Sequence, residues 1–288
     1  MLKREDVERL LPDDGDMYDV IVAGGGPAGI GAALAAATNG ARTLLLERRA
    51  FFGGVAAVSG WMPINRLFIN GQSRGGVHEL FVNKIMSMGP DACRPGKTSW
   101  VDGDGLHVHP DYLRLAVLEL LEETNCSYCL HSPVTGVEMD GKRIVKVICD
   151  GKYGKHTYGA KVFVDATGDG DVAYYAGAEY QVGREYDGAL MPVTVGFVIG
   201  NVDEDRLFAA LDEMGYSTYT DIIKGASSEG YSTSIFYSFD KTTIPGVISV
   251  NNGGQSDVGI IDATNIRDVN VALRTGLQVA MDFVRIAR

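Results

Sequence analysis

Cysteine is scarce in this chain. Four residues, Cys93, Cys126, Cys129 and Cys149, are too few to staple 288 positions, so a disulfide-built secreted scaffold is excluded. No apolar run approaches the roughly eighteen residues that a bilayer span needs. The opening MLKREDVERLLPDDGD alternates charge with leucine and lacks the apolar centre of a secretory signal. These shortages lead us to expect a reducing, cytoplasmic setting. Positive charge is also short: 26 basic residues face 37 acidic ones, for a formal charge of −11. Such a surface repels phosphate backbones and anionic lipid, so neither nucleic acid nor membrane is expected as a partner. Histidine is sparse, and His78, His107, His109, His131 and His156 show no metal-ligand spacing beyond His107-x-His109. No metal is expected.

What is present is glycine, 37 residues spread along the chain without a repeat. Three stand together in YDVIVAGGGPAGIGAALAAATNGARTLLLE, Tyr18 to Glu47. The apolar, β-branched DVIVA reads as a buried strand stopped by Gly24-Gly25-Gly26. Pro27 suits a first helical turn, Ala28 to Ala37 are small enough to sit close to a sheet, and Asn39-Gly40 is a C-terminal stop. A second strand, Thr43 to Leu46, completes a βαβ unit. In this order Gly24 permits the tight turn, Gly26 lets a pyrophosphate approach the backbone, and Gly29 lets the helix pack on the strand. The free N–H groups and positive dipole end of the helix that opens at Pro27 and Ala28 then hold the diphosphate. Glu47 ends the second strand, where a carboxylate accepts from a ribose diol and repels a 2′-phosphate. That favours FAD or NAD over NADP, with Arg48 and Arg49 beside it weighing the other way.

Further along, HPDYLRLAVLELLEETN (His109 to Asn125) places Leu113, Ala116, Val117, Leu120 and Leu121 on one helical face. A strand in SYCLHS follows, then strands at Val134 to Met139, Ile144 to Cys149 and Lys161 to Asp165, the last running into ATGDGD at Ala166 to Asp171. EDVERLLPD, the Gly24 to Glu47 fingerprint, FFGG (Phe51 to Gly54), GGVHEL (Gly75 to Leu80) and VFVDATGDGDVAYYAGAEY (Val162 to Tyr180) together carry a resemblance. The sequence resembles the FAD-dependent oxidoreductases with a glutathione-reductase-like FAD fold, in the branch near fumarate reductase flavoproteins and thiazole synthases. The resemblance implies FAD as cofactor, with Gly53 and Gly54 along the ribityl chain or diphosphate. It also implies Val134 beside the adenine, and Ala166, Thr167 and Gly168, followed by Asp169, as the second approach of the sheet to FAD. His109 falls where related flavoproteins often place an arginine that opens the helix. Family members usually continue beyond the last helix of this chain, which is therefore expected to be C-terminally short.

The expected architecture is α/β: a doubly wound, Rossmann-like FAD-binding domain with a β-meander, plus a smaller mixed α+β substrate domain. We divide the chain into an N-terminal arm (1–17), the FAD-binding domain (18–190, with an insertion at about 55–108) and a substrate-side domain (191–263). A final helix (264–288) returns toward the FAD domain. That helix, capped by Asp262 or Thr264, should pack through Ile266, Val269, Leu273, Leu277, Ala280, Val284 and Ala287. Acid–base work falls to His109, His107 or His78, and Arg74 is the candidate for orienting an anionic substrate. His107 and His109 would share one face of an extended strand. Asn251, Asn252 and Gln255 offer neutral hydrogen-bonding groups, though turn chemistry explains them as well. Cys126-x-x-Cys129 has redox spacing but sits at the entry of a buried strand. The expected reaction moves a hydride between a small organic substrate and flavin N5, with a separate electron acceptor or donor. Three rivals stay open: an NAD-dependent dehydrogenase, a nucleotide-binding subunit completed by a partner or a second copy, and a protein consuming the dinucleotide as reactant.

Overall fold

The structure is a computed structural model. It describes residues 4–61, 63–64, 68–69, 72–73, 75–98, 101–152, 154–190, 194–214, 219–234, 237–252 and 265–286. In chain order the elements are α1 (Arg4–Glu8), β1 (Met17–Ala23), α2 (Pro27–Thr38), β2 (Thr43–Leu46), α3 (Val55–Val58), β3 (Phe68–Ile69), β4 (Gln72–Ser73), α4 (Gly76–Ser87), β5 (Cys93–Thr98), β6 (Val101–Val108) and α5 (Pro110–Glu123). They continue with β7 (Ser127–Cys129), β8 (Val134–Asp140), β9 (Arg143–Gly151), β10 (Gly154–Asp165), α6 (Asp171–Tyr175), β11 (Phe197–Ile199), α7 (Glu204–Met214), α8 (Tyr219–Ser228), β12 (Tyr237–Lys241), β13 (Ile248–Asn252) and α9 (Ile266–Ile286).

The chain divides into two units, 1–58 with 67–93 and 109–180, and 59–66 with 94–108 and 181–288. Of residues 55–108, 59–66 and 94–108 cluster with the second unit and the rest with the first.

The first unit is built on a sheet of order β7-β2-β1-β10-β9-β8. β1 pairs in parallel with β2 and β10, and β2 in parallel with β7, whereas β10, β9 and β8 form an antiparallel meander. β10 is longer than its apolar run suggests because it has two partners. Residues 154–159 pair with β9, and the strand passes on to β1 from Gly159. Tyr18, Ile21, Leu44, Leu46, Val147, Tyr158 and Ala160 make the core of this sheet. α2 lies close through Gly29, Ile30, Ala33 and Leu34, and α5 buries the five residues its periodicity selects. Lys84 of α4 ties to Glu119 of α5 at 3.1 Å and also meets Glu123.

The second unit carries an antiparallel sheet of order β11-β13-β12, covered by α7 and α9. Its core holds Leu211, Tyr237, Phe239, Ile248, Val250 and Val279, with the Phe283 ring against Phe197, Tyr237 and Phe239. α9 does not pack through the expected stripe. Ile266, Leu273 and Leu277 are 72%, 51% and 50% exposed, whereas Ala272, Gly276, Val279 and Asp282 are buried. The small residues allow close approach to the sheet, and the Phe283 aromatic contacts fix the rotation of the helix. The proposed caps Asp262 and Thr264, and Ala287, lie outside the described residues. Among the described residues no helix is long and apolar enough to cross a membrane.

Candidate functional site

The end of β1 shows why its glycines are needed. Gly24 turns the chain with φ of +98°, and a Cβ there would stand 2.4 Å from the Ala166 carbonyl oxygen. A Cβ on Gly29 would stand 1.8 Å from the Gly24 oxygen, so α2 can rest on the strand end only with glycine at that position. Gly26 is the N-cap of α2 and no side chain caps it. A Cβ on Gly26 would meet only the Gly54 Cα, at 3.9 Å. The uncapped helix start thus opens onto free space, which suits a diphosphate.

Glu47 is buried, with Oε2 accepting from Gly25 N–H and Oε1 from Arg49 N–H, both at 2.7 Å. The carboxylate therefore fixes the glycine turn, and each oxygen retains acceptor capacity for a hydroxyl pair. Gly53 donates its N–H to the Gly25 oxygen at 2.8 Å, which brings the FFGG turn against the first. On the far side, Asp165 accepts from Thr167 N–H (3.0 Å), Thr167 Oγ1 (2.6 Å) and Ala173 N–H (2.8 Å). It thereby shapes the ATGDGD turn. Thr167 Oγ1 in turn accepts from Asp171 N–H at 2.7 Å.

These turns enclose a cavity of about 450 Å³. Of the residues expected at the cofactor, Gly24, Gly26, Pro27, Ala28, Glu47, Arg48, Gly54, Val134, Ala166, Thr167 and Gly168 line it. Gly29 and Gly53 serve packing, the latter beneath Leu113 and Ala57. Asp169 does not line the cavity, but Asp171 does. Burial pushes the Asp171 carboxyl above its usual range, Asp169 adds to this, and Arg48 opposes it. Sequence reading missed Ser132, Pro133, Thr135 and Tyr175 on the wall. Only their position just after β7, around the start of β8 or in α6 could have suggested them.

The profile of the family described as FAD dependent oxidoreductase matches residues 19–285. The chain belongs to this family. Its cofactor is FAD, and the cavity fits it: an uncapped helix start over open space, an acid with spare acceptors and glycine turns converging on it. Among curated proteins, a 76-residue stretch is 37% identical to 4-oxocyclohex-2-ene-1-carboxylate 5-dehydrogenase of Sinomonas cyclohexanicum, covering 25% of this chain and 12% of that protein. Among solved structures, the flavoprotein fold is similar to a geranylgeranyl bacteriochlorophyll reductase-like protein from Thermoplasma acidophilum. The TM-score is 0.52 at 17% identity, covering 90% of this chain and 61% of that one. It is also similar to p-nitrophenol 4-monooxygenase from Pseudomonas putida DLL-E4, with TM-score 0.51 at 12% identity over 92% and 63% of the two chains. The chain thus spans a small part of the curated relative and about three fifths of these structures.

The acid–base candidates lie on different elements. β6 ends at Val108, and His109 is the N-cap of α5, its Nδ1 accepting from Asp111 N–H at 3.2 Å. The two histidines do not share a strand face, because Pro110 starts a helix immediately. His107 is buried on β6, in the second unit, and His78 lies half-buried on α4, in the first. Arg74 and Gln255 lie outside the described residues, and Asn251 and Asn252 end β13. Cys126 is buried and its thiol is pushed up to about 12 by burial, which removes the thiolate that redox exchange requires. No group of His, Cys, Asp and Glu among the described residues is arranged to hold a metal.

Proposed function

We propose that the protein is an oxidoreductase that moves a hydride between a small organic substrate and bound FAD. The observation that carries this is the cavity of the first unit, where the Gly24–Gly29 turn, Glu47 and the Ala166–Gly168 turn meet. In this reading the amides at the start of α2 hold the diphosphate, and Glu47 accepts from the ribose. Val134 and Thr135 bound the adenine end. When bound, FAD supplies a hydride acceptor or donor at N5. The chain's own task is to bind and orient it and to exclude water. His109 caps α5 through Nδ1, which accepts from the Asp111 N–H. The name of the Sinomonas relative supports a dehydrogenation and points to cyclic oxo-carboxylates as first substrates to try.

The test is anaerobic: the FAD-loaded protein is mixed with such carboxylates and related small ketones and alcohols. Bleaching of the visible flavin band by one of them, with recovery on adding an electron acceptor, is the expected result. A flavin that sodium dithionite reduces but no organic substrate does would count against the hydride reading.

A further inference from the structure

Gly53 and Gly54 form a turn that two backbone hydrogen bonds hold only in part, Gly53 N–H to the Gly25 carbonyl and Ala57 N–H to the Gly54 carbonyl. Their φ values are +116° and +53°, and fixing glycine in one conformation costs more entropy than fixing any other residue. The turn is held from outside by Arg114 of α5. Arg114 Nη2 donates to the Ala57 carbonyl at 2.7 Å, on one side of the glycine pair. Its guanidinium lies 4.0 Å from the centroid of the Phe51 ring, on the other side. Asp111 fixes the guanidinium itself, accepting from Nη1 at 2.8 Å. One planar cation therefore grips both flanks, while its neighbour Leu113 fills the space that Gly53 leaves. A lysine could supply charge at one point but not a flat face and a donor fork together.

We propose that Arg114 is a positioning residue for the flavin-bearing half of FAD: it sets where Gly53 and Gly54 meet the cofactor. This rests on the reading that the cavity holds FAD. Gly54 is the member of the pair that lines the cavity, and a Cβ on it would stand 2.8 Å from the Gly26 Cα. Among the described residues no hydrogen bond from Arg114 reaches the Gly24–Gly29 turn or Glu47. Its loss should therefore spare the nucleotide half.

The experiment compares the parent protein with R114K and R114A, measuring dissociation constants for FAD and for ADP, together with thermal midpoints without ligand. R114A is expected to weaken FAD by about tenfold or more, the scale of a lost charge-assisted bond, while ADP binding changes by less than about twofold. R114K, which keeps the charge, should fall between parent and R114A. The FAD-to-ADP ratio is the deciding readout, because general damage to the fold weakens both ligands alike. Equal FAD affinity in all three proteins, or equal weakening of FAD and ADP, overturns the proposal. So does an R114A chain that fails to fold beside a folded R114K that binds FAD like the parent. If the parent binds neither ligand, the cavity reading itself falls and takes the proposal with it.

Discussion

Glu47 already accepts two backbone N–H groups that shape the turn, and in the proposed reading it also receives the ribose. Glu47→Gln removes the negative charge and turns one oxygen into a donor facing an N–H. We expect FAD and ADP both to bind about 10- to 100-fold more weakly, the cost of losing a buried hydrogen bond to a charged group. Titration by calorimetry checks it. Gly29→Ala has no room at all, because its Cβ would enter the Gly24 carbonyl. This variant should lose most of its soluble folded yield, measured by far-ultraviolet circular dichroism. Gly24, Gly26, Gly29 and Glu47 were legible in the sequence because their roles depend on spacing within one βαβ unit. Asp165 and Tyr175 were not, since their partners or their place on the wall are fixed by turns and elements, and spacing alone does not mark them. Asp165 sits within the recognised strand, yet nothing in VFVDATGDGD announces that it takes three donors from the turn that follows.

At the scale of elements, α9 shows where periodicity misleads. Its apolar stripe was read correctly as a stripe and assigned wrongly as the packing face, because a helix with Ala272, Gly276 and Val279 on a neighbouring face has two surfaces that can approach a sheet. Packing on the second face buries Asp282. Burial alone would raise this carboxyl, but the Ser232 N–H, Gln278 and Arg285 outweigh it and hold it below the usual carboxylate range. A folded-state pKa below the unfolded value gives stability that is present above the unfolded pKa and is lost as pH falls through the folded one. The second unit should therefore lose stability on acidification below about pH 4. Asp282→Ala should cost about 1–3 kcal/mol at neutral pH by leaving Ser232 N–H without its acceptor, and it should flatten this acid limb. Urea melts at neutral and acid pH compare the two proteins. The α5 helix is the opposite case: its one apolar face, Leu113, Ala116, Val117, Leu120 and Leu121, is the face it buries.

For the whole molecule, the sequence made the first unit far easier to read than the second. The fingerprint strands β1 and β2 pair with each other inside one local βαβ unit, whereas the second unit gathers 59–66 and 94–108 with 181–288. No local pattern announces those long-range associations. Binding of FAD by the first unit underlies every role given to these residues. A ligand that binds only the folded chain stabilises it by mass action, about 2.7 kcal/mol at a hundred times its dissociation constant. The most direct measurement is the visible spectrum of the purified protein after equilibration with FAD and removal of the excess, with a thermal melt of the same sample. The expected result is a flavin band that stays with the protein, bleaches on reduction and accompanies a raised melting temperature. A colourless protein whose melting temperature FAD leaves unchanged would contradict it.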